Sequence, residues 1–124
     1  MNGNSLVVDT NIFIYQLNGD TTIESVLEGK NIFLSFVTKV ELFCYQKHSR
    51  GQEQLIDEIL VNTTIVHSND AIAELTIQFR KNQAVKTPDA IILATAAHLV
   101  IPLFTADRDL FKVNGVEIIQ YSVS

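Results

Sequence analysis

The run Ser5-Leu6-Val7-Val8 is short and apolar without alternation, and no other stretch limits the fold as strongly. A strand with one wet face alternates apolar and polar residues. A strand apolar throughout is covered on both faces, as in parallel sheets. Further strands are expected at Asn31-Ile32-Phe33-Leu34-Ser35, Thr64-Ile65-Val66, Pro102-Leu103-Phe104-Thr105 and Val116-Glu117-Ile118-Ile119. Helix-type segments separate them. This alternation predicts an α/β fold, a three-layer α/β/α sandwich with a short, largely parallel central sheet, as one domain over residues 1–124.

The helices are bounded by recognisable signals. One is expected from about Ile12 until Asn18-Gly19-Asp20, and Thr21-Thr22-Ile23-Glu24 has the form of a capping box for a short helix ending at Gly29. After the second strand a helix is expected to run to about His48, with Phe36, Val40, Phe43 and Cys44 at helical spacing. Ser49-Arg50-Gly51 should break it, and Gln54 to Val61 should form the next. Ser68-Asn69-Asp70 caps a helix with an Ile72, Leu75, Phe79 stripe facing inward. Thr87-Pro88-Asp89 reads as cap, proline at the first helical position and acid in the first turn. The helix behind it, Ala90 to Val100, is apolar nearly all round and so central and buried. Asp107 to Phe111 reads as a turn or short helix.

Carboxylates recur where these segments meet. Asp9 ends the first strand, Asp107 follows the fourth by two residues, Asp89 sits in a first helical turn, and Glu41 lies about one turn inside the helix after strand two. Open parallel sheets bind ligands at the carboxyl ends of their strands, near the point where strand order reverses. Four acids from remote segments are therefore expected to converge. Taken singly, Asp89 could simply favour a helix dipole, Asp107 and Asp109 could be turn acids, and Glu41 could face solvent. Asp9 differs, because folding alone poorly explains an acid directly after Leu-Val-Val. Crowded carboxylates raise one another's pKa, and a hard divalent cation relieves that. Mg²⁺ is expected; Mn²⁺ accepts the same ligands. Zinc is not, since His48, His67 and His98 show no ligand spacing with Cys44. Cys44 reads as a packing residue and His98 as a core or boundary residue.

Nine Lys/Arg against fourteen Asp/Glu give a net charge of −5, which speaks against a broad, sequence-independent DNA binder. With the four site acids set aside, ten acids face nine bases. An enzyme gripping a few phosphates stays compatible with that balance. No apolar run approaches the roughly 20 residues of a membrane helix, and Met1-Asn2-Gly3-Asn4 is no signal peptide. With one cysteine and no internal disulfide, the cytoplasm is the expected location.

Four stretches carry a resemblance. Asp9-Thr10-Asn11 after its strand, Ser35-Phe36-Val37-Thr38-Lys39-Val40-Glu41-Leu42, Thr87-Pro88-Asp89-Ala90-Ile91-Ile92-Leu93-Ala94-Thr95-Ala96 and Thr105-Ala106-Asp107-Arg108-Asp109 look like the four motifs of PIN-domain nucleases. The order spans essentially the whole chain, and the small size resembles the VapC toxins of toxin–antitoxin pairs. The resemblance implies a metal-dependent endoribonuclease acting on single-stranded or looped RNA, often a homodimer, silenced by a small antitoxin. It gives catalytic and metal-pocket roles to Asp9, Glu41, Asp89 and Asp107, with Thr105 bracing the pocket and Asn11 as polar neighbour of the first acid. The family often has an aromatic directly after the acid matching Asp109; here Leu110 intervenes before Phe111. That leaves Asp107 and Asp109 as rivals for the fourth position, with Asp107 favoured. Lys39, Lys86 and Arg108, beside the motif acids, are candidate phosphate contacts.

Other readings fit less well. A phosphoryl-accepting receiver domain wants paired acids after strand one, where Thr10-Asn11 stands, and an aspartyl phosphatase wants a second acid where Asn11 is. A non-catalytic binding module on the PIN fold would be expected to have lost some of the four acids. A housekeeping RNA-processing nuclease without an antitoxin is the runner-up.

Overall fold

The computed structural model describes residues 4–45 and 50–122. The chain runs β1 (Ser5–Val8), α1 (Thr10–Leu17), α2 (Thr22–Leu27), β2 (Asn31–Ser35), α3 (Phe36–Cys44), α4 (Arg50–Val61), β3 (Thr64–Val66), α5 (Asp70–Asn82), α6 (Thr87–Leu99), β4 (Leu103–Thr105) and β5 (Ile118–Gln120), with a 3-10 turn at Arg108–Leu110. All strand pairings are parallel, in the order β3-β2-β1-β4-β5. The chain lays down β1, β2 and β3 in one direction, then crosses back to place β4 on the other side of β1. Strand order thus reverses between β1 and β4.

The two faces of the sheet carry separate cores, which explains the unbroken apolar runs. Val7 and Leu103 pack with Ile72, Phe79 and the inner side of α6. Leu6, Val8 and Phe104, one residue out of phase, pack with Ile12, Phe13, Leu17, Ile23, Leu42 and Ile56 from α1 to α4. Burying one such side chain is worth about 1.5–3 kcal/mol, against about 1 kcal/mol for a helix cap. Packing therefore decides where these helices lie. On α6, Ala90, Ile92, Leu93, Ala94, Thr95 and Ala96 are all buried, as its composition predicts.

Several element boundaries differ from the sequence reading, each for a local reason. Helix α1 begins at Thr10 rather than Ile12, because Asp9 is the capping residue and its Oδ1 accepts from the Thr10 amide at 2.8 Å. The capping box at α2 does not form. Thr21 is itself helical, and Asp20 Oδ1 accepts from the Thr22 amide instead, at 3.0 Å. Helix α4 already includes Arg50 and Gly51. The expected helix end at His48, and Ser49, lie outside the described residues; α3 is described to Cys44. Helix α6 starts at Thr87 with Lys86 before it, so Thr87 is inside the helix, with Pro88 in its first turn. The last strand is Ile118–Gln120; Val116 packs against the core from the preceding loop.

Helix α3 is the largest departure. Its buried residues are Thr38 and Leu42, while Val40 and Phe43 are 53% and 49% exposed and Cys44 is exposed. Val40, Phe43 and Cys44 thus face outward and Phe36 is half-buried, while Val37 and Leu42 make the inward apolar contacts. His98 is likewise exposed on α6 rather than in the core.

Candidate active site

Strand register builds the site. Val8 pairs with Phe104, and the Asp9 amide donates to the Phe104 carbonyl at 2.9 Å. The next residue, Thr105, then stands beside Asp9, and its hydroxyl donates to Asp9 Oδ2 at 2.6 Å. Both are buried, Asp9 at 4% exposure and Thr105 at 0%. Each Asp9 oxygen is therefore held, one by the Thr10 amide and one by Thr105. The Thr105 oxygen in turn accepts from the Asp107 amide at 3.0 Å, and Asp107 Oδ1 accepts from the Asp109 amide at 3.0 Å. One chain of hydrogen bonds thus links the end of β1 to the turn after β4. Asn11 Oδ1 accepts from the Ala106 amide at 3.3 Å, tying α1 to that turn.

Helix α3 joins from the other side of β1. The Thr10 hydroxyl donates to Glu41 Oε1 at 2.6 Å and stands 3.0 Å from the Thr38 hydroxyl. This explains why the polar side of α3 turns inward: Thr38 and Glu41 are drawn to the start of α1. Asp89 arrives half-buried in the first turn of α6, because a helix leading into a parallel strand starts at the edge where strands end.

The acids also act on one another through their charges. Burial pushes the Asp9 carboxyl up to about 6; the Thr105 and Thr10 bonds oppose this, and the negative charges of Asp89 and Asp107 add to it. Asp89 is also raised, first by burial and then by Asp107 and Glu41, with Lys86 opposing and Asp109 adding. The four acids chosen from sequence thus share one electrostatic environment. Asp109 is exposed in the 3-10 turn. Lys86 is exposed beside Asp89, Arg108 is exposed next to Asp107, and Lys39 is exposed on α3 with nothing drawing it to the acids. Thr10 and Thr38 were not legible in the sequence as site residues. Both stand inside the motif stretches, beside Asp9 and three residues before Glu41, but nothing there gave either hydroxyl a role.

Among the described residues, no three Asp, Glu, His or Cys side chains form a ready cage for a cation. The donor set nevertheless fits a hard divalent ion. All four donors are carboxylates, two of them held above their ordinary pKa, and Mg²⁺ takes one or two carboxylates together with waters. Among the described residues no helix is long and apolar enough to cross a membrane.

The family model of the PIN domain matches residues 6–116. Comparison with curated proteins finds no match. Among solved structures, a chain from a "Toxin-antitoxin complex from Klebsiella pneumoniae" is 30% identical, with a TM-score of 0.82, covering 95% of this chain and 99% of its own. A chain of VapBC-5 from Mycobacterium tuberculosis, described as a member of the VapBC family of toxin-antitoxin systems, is 25% identical with a TM-score of 0.73 over 95% and 99%. VapBC2 from Rickettsia felis, bound to a DNA fragment from its promoter, gives 19% identity and a TM-score of 0.78 over 95% and 99%. With the family model covering nearly the whole chain and the acids gathered at the strand ends, the chain belongs to the PIN domain family.

Proposed function

We propose that this chain is an endoribonuclease that cuts RNA phosphodiester bonds with a divalent cation, Mg²⁺ or Mn²⁺, held by Asp9, Glu41, Asp89 and Asp107. The observation that carries the reading is Asp9. It is buried, raised to about 6, fixed through both oxygens, and placed where strand order reverses among three further acids. A structural acid has no need of such an environment, whereas perturbed carboxylates cluster at functional sites. A bound divalent ion would neutralise the acids, activate a water and stabilise the leaving oxygen of an in-line displacement at phosphorus.

The chain's own residues would orient and hold. Thr105 and the Thr10 amide fix the Asp9 carboxylate, and the Thr10 hydroxyl fixes Glu41. Asp107 is preferred to Asp109 as the fourth acid. Its amide is bonded to the hydroxyl that braces Asp9, whereas Asp109 is exposed. Asn11 holds the Ala106 backbone, and Lys86 and Arg108 are the cations best placed to meet substrate phosphates. Lys39 is the weakest of the three candidates.

The described toxin–antitoxin neighbours support a role as the toxin of such a pair, with a small antitoxin as partner; an RNA-cutting enzyme of this kind would act in the cytoplasm. The outward Val40 and Phe43 support a homodimer. Asp9→Asn and Asp89→Asn should each reduce Mg²⁺- or Mn²⁺-dependent cleavage of a single-stranded RNA by at least about a hundredfold, on the scale of losing a positioned catalytic group. Circular dichroism should be unchanged. Full cleavage by either folded variant would reject the site.

A further inference from the structure

A cavity of about 410 Å³ opens beside Asp107, between the end of α1, the turn after β4 and the end of β5. Its walls include Tyr15, Phe111, Tyr121, Arg108, Gln120 and Ala106. None of the four site acids lines it, yet it adjoins them, since Ala106 sits between Thr105 and Asp107 with its amide bonded to Asn11. Tyr15 is 36% exposed and Phe111 and Tyr121 are half-buried, unlike Phe104 behind them, at 1% in the core. Tyr121 packs on the core through Phe104, and all three part-exposed rings also line the cavity.

The aromatic wall is held in place from behind. The Tyr121 hydroxyl donates to Asp20 Oδ2 at 2.5 Å, and its ring meets Phe104 edge-on at 5.8 Å between centroids. Tyr15 lies tilted against Tyr121 at 6.4 Å. Fixed rings lose little freedom when something stacks on them. Arg108 brings positive charge to an acidic chain, and Gln120 offers a donor and an acceptor on one amide. Aromatic faces, a guanidinium and one hydrogen-bonding amide suit a planar heterocycle attached to a phosphate backbone.

We propose that this cavity is a nucleobase subsite, stacking an unpaired base of a single-stranded nucleic acid whose neighbouring phosphodiester lies at the acid cluster. The proposal rests on the nuclease reading, but its test does not use cleavage. Uridine 5′-monophosphate and adenosine 5′-monophosphate, titrated into the ¹⁵N-labelled protein, should shift the amides of residues 106–111 and 120–122. Ribose 5-phosphate should leave them nearly unmoved. Equal shifts from ribose 5-phosphate would reduce the cavity to a phosphate site and overturn the proposal.

A second arm measures anisotropy of a fluorescein-labelled ten-nucleotide single-stranded RNA, with Ca²⁺ in place of Mg²⁺. Tyr15→Ala and Phe111→Ala should each weaken binding about tenfold, within the range for loss of one stacked base. An abasic site placed in turn along the strand should, at one position, weaken the parent protein but not Tyr15→Ala, whose part-exposed side chain makes unfolding an unsuitable explanation. A DNA strand bound as tightly as RNA would support stacking and assign no preference for the sugar. Unchanged binding by Tyr15→Ala, with no shifts from either nucleotide, would overturn the subsite and leave the cavity to a protein partner. Base-dependent binding by a protein that cuts nothing would sink the nuclease reading alone.

Discussion

Asp9 makes the folded chain less stable than it could be, and the sign of that effect is measurable. Its carboxyl titrates near 6 when folded against 3.8 when exposed, so the native state binds the proton more tightly. Below pH 3.8 both states hold the proton and nothing is lost. Between pH 3.8 and about 6 stability falls as pH rises, and above 6 the full penalty remains. At 1.36 kcal/mol per unit that penalty is at most about 3 kcal/mol. Asp9→Asn should therefore melt above the parent protein in metal-free buffer at pH 7.5, by a margin that shrinks at pH 4. Calorimetry that found the variant less stable at both values would contradict the burial account. Thr105 opposes the same shift, so Thr105→Val should raise the Asp9 pKa further and move the acidic limb of the cleavage profile to higher pH, while Thr105→Ser keeps the donor and the profile. A limb unmoved in Thr105→Val would remove Thr105 from the site.

Among the elements, α3 shows what periodicity can and cannot reveal. Its apolar residues stand at helical spacing, so a helix was legible, but spacing does not say which side faces the core. The Thr10 hydroxyl settles that by binding Glu41 beside Thr38, a contact between positions 31 residues apart that no local pattern encodes. Exposed Val40 and Phe43 then become surface that a second copy would cover. Phe43→Asp should convert a dimer to a monomer by light scattering while changing the monomer's unfolding free energy by no more than about 0.5 kcal/mol, as for other exposed positions. The cap of α5 was legible as the stretch Ser68-Asn69-Asp70, and the structure gives the role to Asn69, whose Oδ1 accepts from the Ile72 amide at 2.8 Å. At α2 the expected Thr21–Glu24 box was misplaced, since Thr21 is helical and Asp20, one residue earlier, accepts from the Thr22 amide.

For the molecule as a whole, topology explains why so much of the site was readable. A parallel sheet with helices on both faces sends every strand end, and the start of a helix such as α6 that leads into a strand, to one edge, which brings acids at those positions together. The resemblance already pointed to Thr105; what the sequence could not supply was the bond from the Thr10 hydroxyl to Glu41, which depends on how α1 and α3 pack. The same gathering predicts linkage to metal. Mg²⁺ at about a hundred times its dissociation constant should stabilise the protein by about 2.7 kcal/mol, read as a higher melting temperature, and Asp89→Asn should blunt the gain. A melting curve indifferent to Mg²⁺ and Mn²⁺ would argue against a bound cation.

The insertion of β4 beside β1 has a temporal side. β1, β2 and β3 precede β4 in the chain and can pair first, but the free flank of β1 waits for residues 103–105, and Asp9 meets Thr105 and Asp107 only once that later segment has been made. The acid cluster therefore cannot assemble on a growing chain that still lacks residues 103–107.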